Sequence, residues 1–133
     1  MLKYLGVYVA VFVTMVVIDM VWLRLIAVQW YAEGMGPLLT NSPNLWAATA
    51  FYLLFPAGLL IFAVFPSAGE PLVRAVTMGA LFGFFAYATY DLTALAVIKG
   101  WPVGLTFLDM AWGTIVSGVS AGAGKLALDQ FNQ

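Results

Sequence analysis

Tyr87-Ala-Thr-Tyr90-Asp91-Leu-Thr93 leads through an apolar run to Lys99-Gly100-Trp101-Pro102, and Thr106-Phe-Leu-Asp109-Met-Ala-Trp112-Gly113 follows shortly after. Gly and Pro punctuate the middle of this stretch, and neither arm alternates apolar with polar residues at a period of two. It therefore reads as a helical hairpin: the end of one apolar helix, a Gly-Trp-Pro turn and the start of the next. Asp91 and Asp109 sit one on each arm, in surroundings where an unpaired charge is costly, so each needs a partner or a use. Near the N-terminus Asp19-Met-Val-Trp22 echoes Asp109-Met-Ala-Trp112.

The rest of the chain has the same character. Of 133 residues, 64% are hydrophobic and 8% charged, against about 25% charged in a soluble domain. Apolar runs of helix-spanning length recur, and the short alternating segments of an outer-membrane barrel do not. The expectation is an all-α, four-transmembrane-helix bundle, a single membrane domain over residues 1–133 with helices at about 4–28, 45–65, 72–98 and 103–126. Met1-Leu-Lys3 before an apolar run has the look of a signal peptide. No small-x-small cleavage site follows and Asp19 and Arg24 interrupt, so the segment reads as an uncleaved first helix.

Composition also excludes chemistry. With no Cys and no His there is no disulfide framework, thiol nucleophile, Ser-His triad or soft-metal site. A net charge of −1 with no basic run gives nucleic acid no purchase. The partner expected is the lipid bilayer, with a small-molecule or lipid ligand as a further candidate; monomer and homodimer both remain open.

On the first helix, Asp19 and Trp22 share a face, while Arg24 lies about 140° round from Asp19 and points to the interface or a neighbour. A long polar connection follows, in which Gly34, Gly36 and Pro37 should break any helix. Asn41-Ser42-Pro43-Asn44 is a turn able to cap the second helix, whose side chains carry no ionisable group except Tyr52 and which Pro56 should kink. Gly79-Ala-Leu-Phe-Gly83 on the third helix is a close-packing GxxxG face. Asp109, Gly113, Ser117, Ser120 and Gly124 form a small-residue stripe on the fourth, suited to tight contact with the third.

In a four-span chain the first and third connections share a side of the membrane. Counting ~1.5 Å per residue from the helix ends puts Asp19, Asp91 and Asp109 roughly 9–12 Å inside that same face. Arg24, Lys99, Tyr87, Tyr90 and Thr93 fall in or just above this slab, and the opposite half reads as almost free of polar groups. The polar centre is thus Asp19, Asp91 and Asp109, with Tyr87 and Tyr90 orienting the acids and Arg24 or Lys99 balancing charge. Trp22 and Trp112 lie beside it, although for these two and Trp101 an interfacial aromatic belt is the favoured account of tryptophans at this depth. Buried acids that merely glue helices together are the competing account.

Tyr90-Asp91-Leu92-Thr93, Trp101-Pro102, Asp109-x-x-Trp112-Gly113 and Asp19-x-x-Trp22-Leu23 together resemble the DUF2177 family of small bacterial membrane proteins, and the resemblance covers nearly the whole chain. Relatives often read Tyr-Asp-Leu-Thr-Asn, where this chain has Ala94 in place of the amide. The resemblance implies a four-helix protein of the bacterial inner membrane and carries no established activity with it.

Function is read from the slab alone. No HExxH, P-loop, nucleophile elbow or Asp-rich diphosphate motif is present, so no catalytic residue is named and an enzyme is the less favoured class. The expectation is a one-sided acidic and aromatic pocket that binds or translocates a small molecule or cation. The alternatives are a membrane enzyme acting on a lipid or isoprenoid, with one aspartate as general base, and an accessory subunit of a membrane complex. A pocket opening sideways to lipid is the geometry the enzyme would need. No cofactor is evident; a hard cation such as Mg or Ca at the aspartates is compatible with their oxygens. Lys3, Arg74 and Lys125 against Arg24 and Lys99 lean towards cytoplasmic termini.

Overall fold

Each long apolar run satisfies its backbone internally, as a segment in hydrocarbon must. In a computed structural model that describes residues 2–40 and 42–133, the runs are all helical, and no strand occurs among the described residues. Helix α1 (Leu2–Val21) continues as a wider π turn over Trp22–Ile26. After it come the short α2 (Val28–Met35), α3 (Leu45–Leu59, extended by a π segment Leu60–Val64 and a 3-10 turn Phe65–Ser67), α4 (Leu72–Val97) and α5 (Val103–Phe131). Four segments are long and apolar enough to cross a membrane: Leu2–Ile26, Leu45–Ser67, Leu72–Val97 and Val103–Phe131. Met1 and Asn41, which the sequence reading placed before the first helix and in the capping turn, lie outside the described residues.

Small residues decide the tightest contact. In hydrocarbon, helices associate through close packing, and that needs surfaces without bulk. Along the α4–α5 hairpin a Cβ on Gly79 would stand 2.8 Å from the Ser117 carbonyl oxygen, and one on Gly83 would strike Ser117 and the Gly113 carbonyl. Gly118 returns the contact, its missing Cβ 3.2 Å from the Val76 carbonyl oxygen. Gly124 departs from the expected stripe: it faces Val11 and Val64, on α1 and the π segment after α3. Gly100, at φ 76°, makes the turn between the two arms.

The apolar core lies at the end of the bundle that carries both termini. Val7 and Val11 from α1 meet Leu59, Leu60, Ala63 and Val64 from α3 and its extension, and Ala121 and Leu128 from α5. Leu128 explains a difference from the sequence reading, which ended the last helix near Leu126 and left a polar tail. Helix α5 runs on to Phe131 because Leu128 is core, Lys125 Nζ reaches Asp129 Oδ1 at 2.7 Å, and Lys3 donates to Asn132 Oδ1 at 3.1 Å. This half is also less bare of polar groups than expected. Ser67, Ser117, Ser120 and Lys125 are all buried there or at mid-depth, and the Ser117 and Ser120 hydroxyls have no partner among the described residues.

Two further departures shape the other half. The polar connection after α1 is itself helical: α2 forms through Gly34, whose bare Cα lies against Leu105 and Pro102, and the chain breaks only at Gly36 and Pro37. In α3, Pro56 is buried inside the helix and the π segment follows it. A proline supplies no N–H and crowds the carbonyls one turn back; there the Tyr8 hydroxyl donates to the Leu53 carbonyl at 2.7 Å. Contact between α3 and α4 is concentrated at the π segment, and the N-terminal half of α3 stands off from α4.

Candidate functional site

That divergence leaves a cavity of about 570 Å³ between α1, α3, α4 and α5, with α2 along one wall. Its lining is mostly apolar and aromatic, including Met35, Phe51, Phe55, Tyr87, Tyr90, Trp101, Leu105 and Trp112. Asp19 from α1, Asp91 from α4 and Asp109 from α5 all open onto it.

The carboxyl groups are held differently. Asp19, 5% exposed, accepts from Trp112 Nε1 at 2.8 Å through Oδ1 and from the Tyr52 hydroxyl through Oδ2. It therefore ties α1 to both α3 and α5. Asp109 Oδ1 accepts from the Tyr31 hydroxyl at 2.8 Å, and that hydroxyl accepts from Trp22 Nε1 at 3.3 Å. Burial pushes Tyr31 well above the usual tyrosine range, so it stays protonated and keeps donating. The Trp22 and Trp112 rings stack at 4.5 Å between centroids and 6° between planes, fixing both indole N–H groups. Asp91 has no comparable support. It is 2% exposed, and Oδ2 has no partner among the described residues. Its carboxyl group shares the cavity wall with that of Asp109, and two neighbouring carboxylates repel until a proton or another positive group stands between them.

The residues expected to form the polar centre divide here. Asp19, Asp91, Asp109, Tyr87, Tyr90 and Trp112 share the cavity. Trp22 stands behind Trp112 as a support. Tyr87 and Tyr90 do not orient the acids as expected: Tyr87 packs over Gly113 and edge-on to Phe55 at 6.0 Å, and Tyr90 edge-on to Trp101 at 5.8 Å. Their place is taken by Tyr31 and Tyr52. Arg24 and Lys99 are exposed and in no ion pair; among the described residues the salt bridge is Lys125–Asp129, at the far end. Thr93 lies on the outer surface and bonds back to the carbonyls of Thr89 and Tyr90.

Sequence reasoning had a signal for Tyr52 and did not use it. Counting ~1.5 Å per residue from Leu45 puts it roughly 11 Å inside the same face, in the slab of the aspartates. Tyr31 gave no such signal, because its position depends on a helix that the glycines seemed to forbid. Among the described residues no three Asp, Glu, His or Cys side chains gather closely enough to hold a metal ion.

A family model described as a predicted membrane protein, DUF2177, matches residues 4–126. The chain belongs to the DUF2177 family. The family match spans every residue that lines the cavity, so in this DUF2177 protein the acids, the tyrosines and the Trp pair all fall within the family's own sequence. No curated protein and no solved structure matches it.

Proposed function

We propose that this DUF2177 protein binds a small molecule or cation in the aromatic and acidic cavity. The observation that carries the reading is the Asp91 carboxyl group, buried in the cavity wall with one oxygen unpartnered. A buried acceptor left without a donor costs about 1–3 kcal/mol. Glue between helices would have its acceptors filled, as Asp19 does, whereas a group kept for a ligand is left open. The packed core around Val11, Leu60 and Val64 closes the other half of the bundle, which favours a one-sided binding site over a continuous pore. By the charge bias of the loops the termini face the cytoplasm of a bacterial cell, and the cavity faces outward.

The stand-off between α3 and α4 supports a second reading, in which the occupant enters sideways from lipid and one aspartate acts as a general base on it. Both readings put the Asp91 charge to use, and one substitution tests them. Asp91→Asn keeps the volume and most of the hydrogen-bonding capacity while removing the negative charge. Melting in detergent should stay close to wild type, while the small molecule retained by the purified protein, read by native mass spectrometry, should be lost. Full retention in Asp91→Asn would return this residue to a structural role.

A further inference from the structure

The geometry points to a free organic monocation, an ammonium or phosphonium with apolar substituents, as the occupant of the cavity, its charge between Asp91 and Asp109 and its apolar body against the aromatic wall. This rests on the cavity being a binding site and names what it takes. The charge follows from the acids. Three carboxyl groups open onto the space, and among the described residues no Lys or Arg lines it and Asp91 Oδ2, at 2% exposure of the residue, has no partner. A neutral occupant would leave a shared proton as the only positive group between Asp91 and Asp109, an organic cation supplies the charge without one, and an anion would add a further negative charge.

The aromatic wall decides what kind of cation fits. Ca²⁺ takes six to eight oxygen ligands, and Mg²⁺ holds on to several waters that need polar partners around them, which an aromatic wall does not provide. Here Asp19 is engaged by Tyr52 and Trp112, Asp109 gives one oxygen to Tyr31, and no three-ligand cluster exists among the described residues. Tyr87, Tyr90, Trp101 and Phe55 instead line the space that the acids open onto. A ring that turns its face to an organic cation within about 6 Å attracts it through the quadrupole, and such a cation is desolvated at far less cost than a small, strongly hydrated ion. A volume of about 570 Å³ is that of a small-molecule site. A zwitterionic lipid headgroup would bring a phosphate against the same acids, which argues for a cation free of it.

The test uses the purified full-length protein in a nonionic detergent. Nile red, a neutral dye, reports occupancy of the cavity, and Ala86→Phe, which narrows it, checks that the dye sits there. Tetraphenylphosphonium and tetraphenylborate share a shape and differ in sign; dihexanoylphosphatidylcholine supplies the headgroup. The expected result is displacement of the dye by tetraphenylphosphonium alone, with affinity falling about tenfold or more in Asp91→Asn and in Asp109→Asn. Displacement by tetraphenylborate as strongly as by tetraphenylphosphonium, or by the lipid in place of either, overturns the inference while leaving a binding cavity in being. Absence of dye binding, or dye binding that Ala86→Phe does not change, sinks the binding reading and this inference with it. The wild-type comparison of the two ions stands even where an Asn variant fails to fold.

Discussion

Removing the Tyr52 hydroxyl should destabilise the native protein and stabilise a variant that lacks Asp19. Tyr52 and Trp112 donate to the two oxygens of one carboxyl group, so among the described residues Asp19 is the acceptor for both. Tyr52→Phe removes one hydrogen bond, and in a membrane protein such a bond is worth ~0.6 kcal/mol on average and up to ~1.7. Asp19→Leu puts an apolar side chain in place of the carboxylate and orphans two donors, each costing about 1–3 kcal/mol when fully buried. Both donors are half-buried, so the low end applies and the sum is about 2 kcal/mol. In the Asp19→Leu background the Tyr52 hydroxyl is a liability, and Tyr52→Phe should recover roughly 1 kcal/mol of that loss. Reversible unfolding in mixed micelles, followed by Trp fluorescence over the full double-mutant cycle, measures all four states. If Tyr52→Phe costs the same in both backgrounds, the hydroxyl and the carboxylate are not partners, and Asp19 does not tie α1 to α3.

At the α4–α5 seam, Gly83→Ala should cost about 1–3 kcal/mol by forcing the helices apart. Gly104→Ala meets nothing within 4 Å and should be neutral or stabilising by up to about 1 kcal/mol in the same assay. At the far end, Asp129→Ala strands the buried Lys125 ammonium and should destabilise by about 1 kcal/mol more than Lys125→Met, a small gap because Asp129 is half-exposed; equal losses would show that the pair is not coupled. For orientation, the native chain has no Cys. Glu33→Cys should therefore be labelled by an impermeant maleimide outside intact cells and Glu70→Cys should not, and the reverse pattern inverts the topology. Arg24→Gln and Lys99→Gln should leave dye binding in the cavity unchanged, since both side chains are exposed and unpaired; a loss in either would restore the charge-balancing role that their sequence positions implied.

The spans were legible because the bilayer imposes them: apolar length and the scarcity of charge leave helices as the one form these segments can take. Depth was legible for the same reason, since a constant rise per residue turns a sequence number into a position along the membrane normal, and it brought Asp19, Asp91 and Asp109 to one level. Rotation about each helix axis was not legible. The π turn at Trp22–Ile26 and the π segment at Leu60–Val64 each shift the register of the residues beyond them, and no local sequence rule announces an inserted residue. The π turn bears on Tyr31, which lies just beyond it. Tyr52 precedes the second π segment and Tyr87 and Tyr90 sit on the unbroken α4, so their roles turn on how whole helices face one another, which spacing along a single helix does not give. The short α2 was hidden by its own glycine, because Gly34 is there for contact with Leu105 and Pro102, and a glycine chosen for contact looks in sequence like one chosen for a break.

The seam between α4 and α5 also sets how this chain can drift over generations. At Gly79, Gly83 and Gly113 every other side chain collides with a neighbouring backbone or ring. A first change there is harmful unless its opposite number changes too. Val73, Leu81 and Phe85, a few residues away on the same helix, look outward, and any residue that lipid tolerates will serve. Divergence should therefore accumulate along one side of α4 and stall along the other, and descendants with quite different outer surfaces would still share the same inner spacing of helices around the three aspartates.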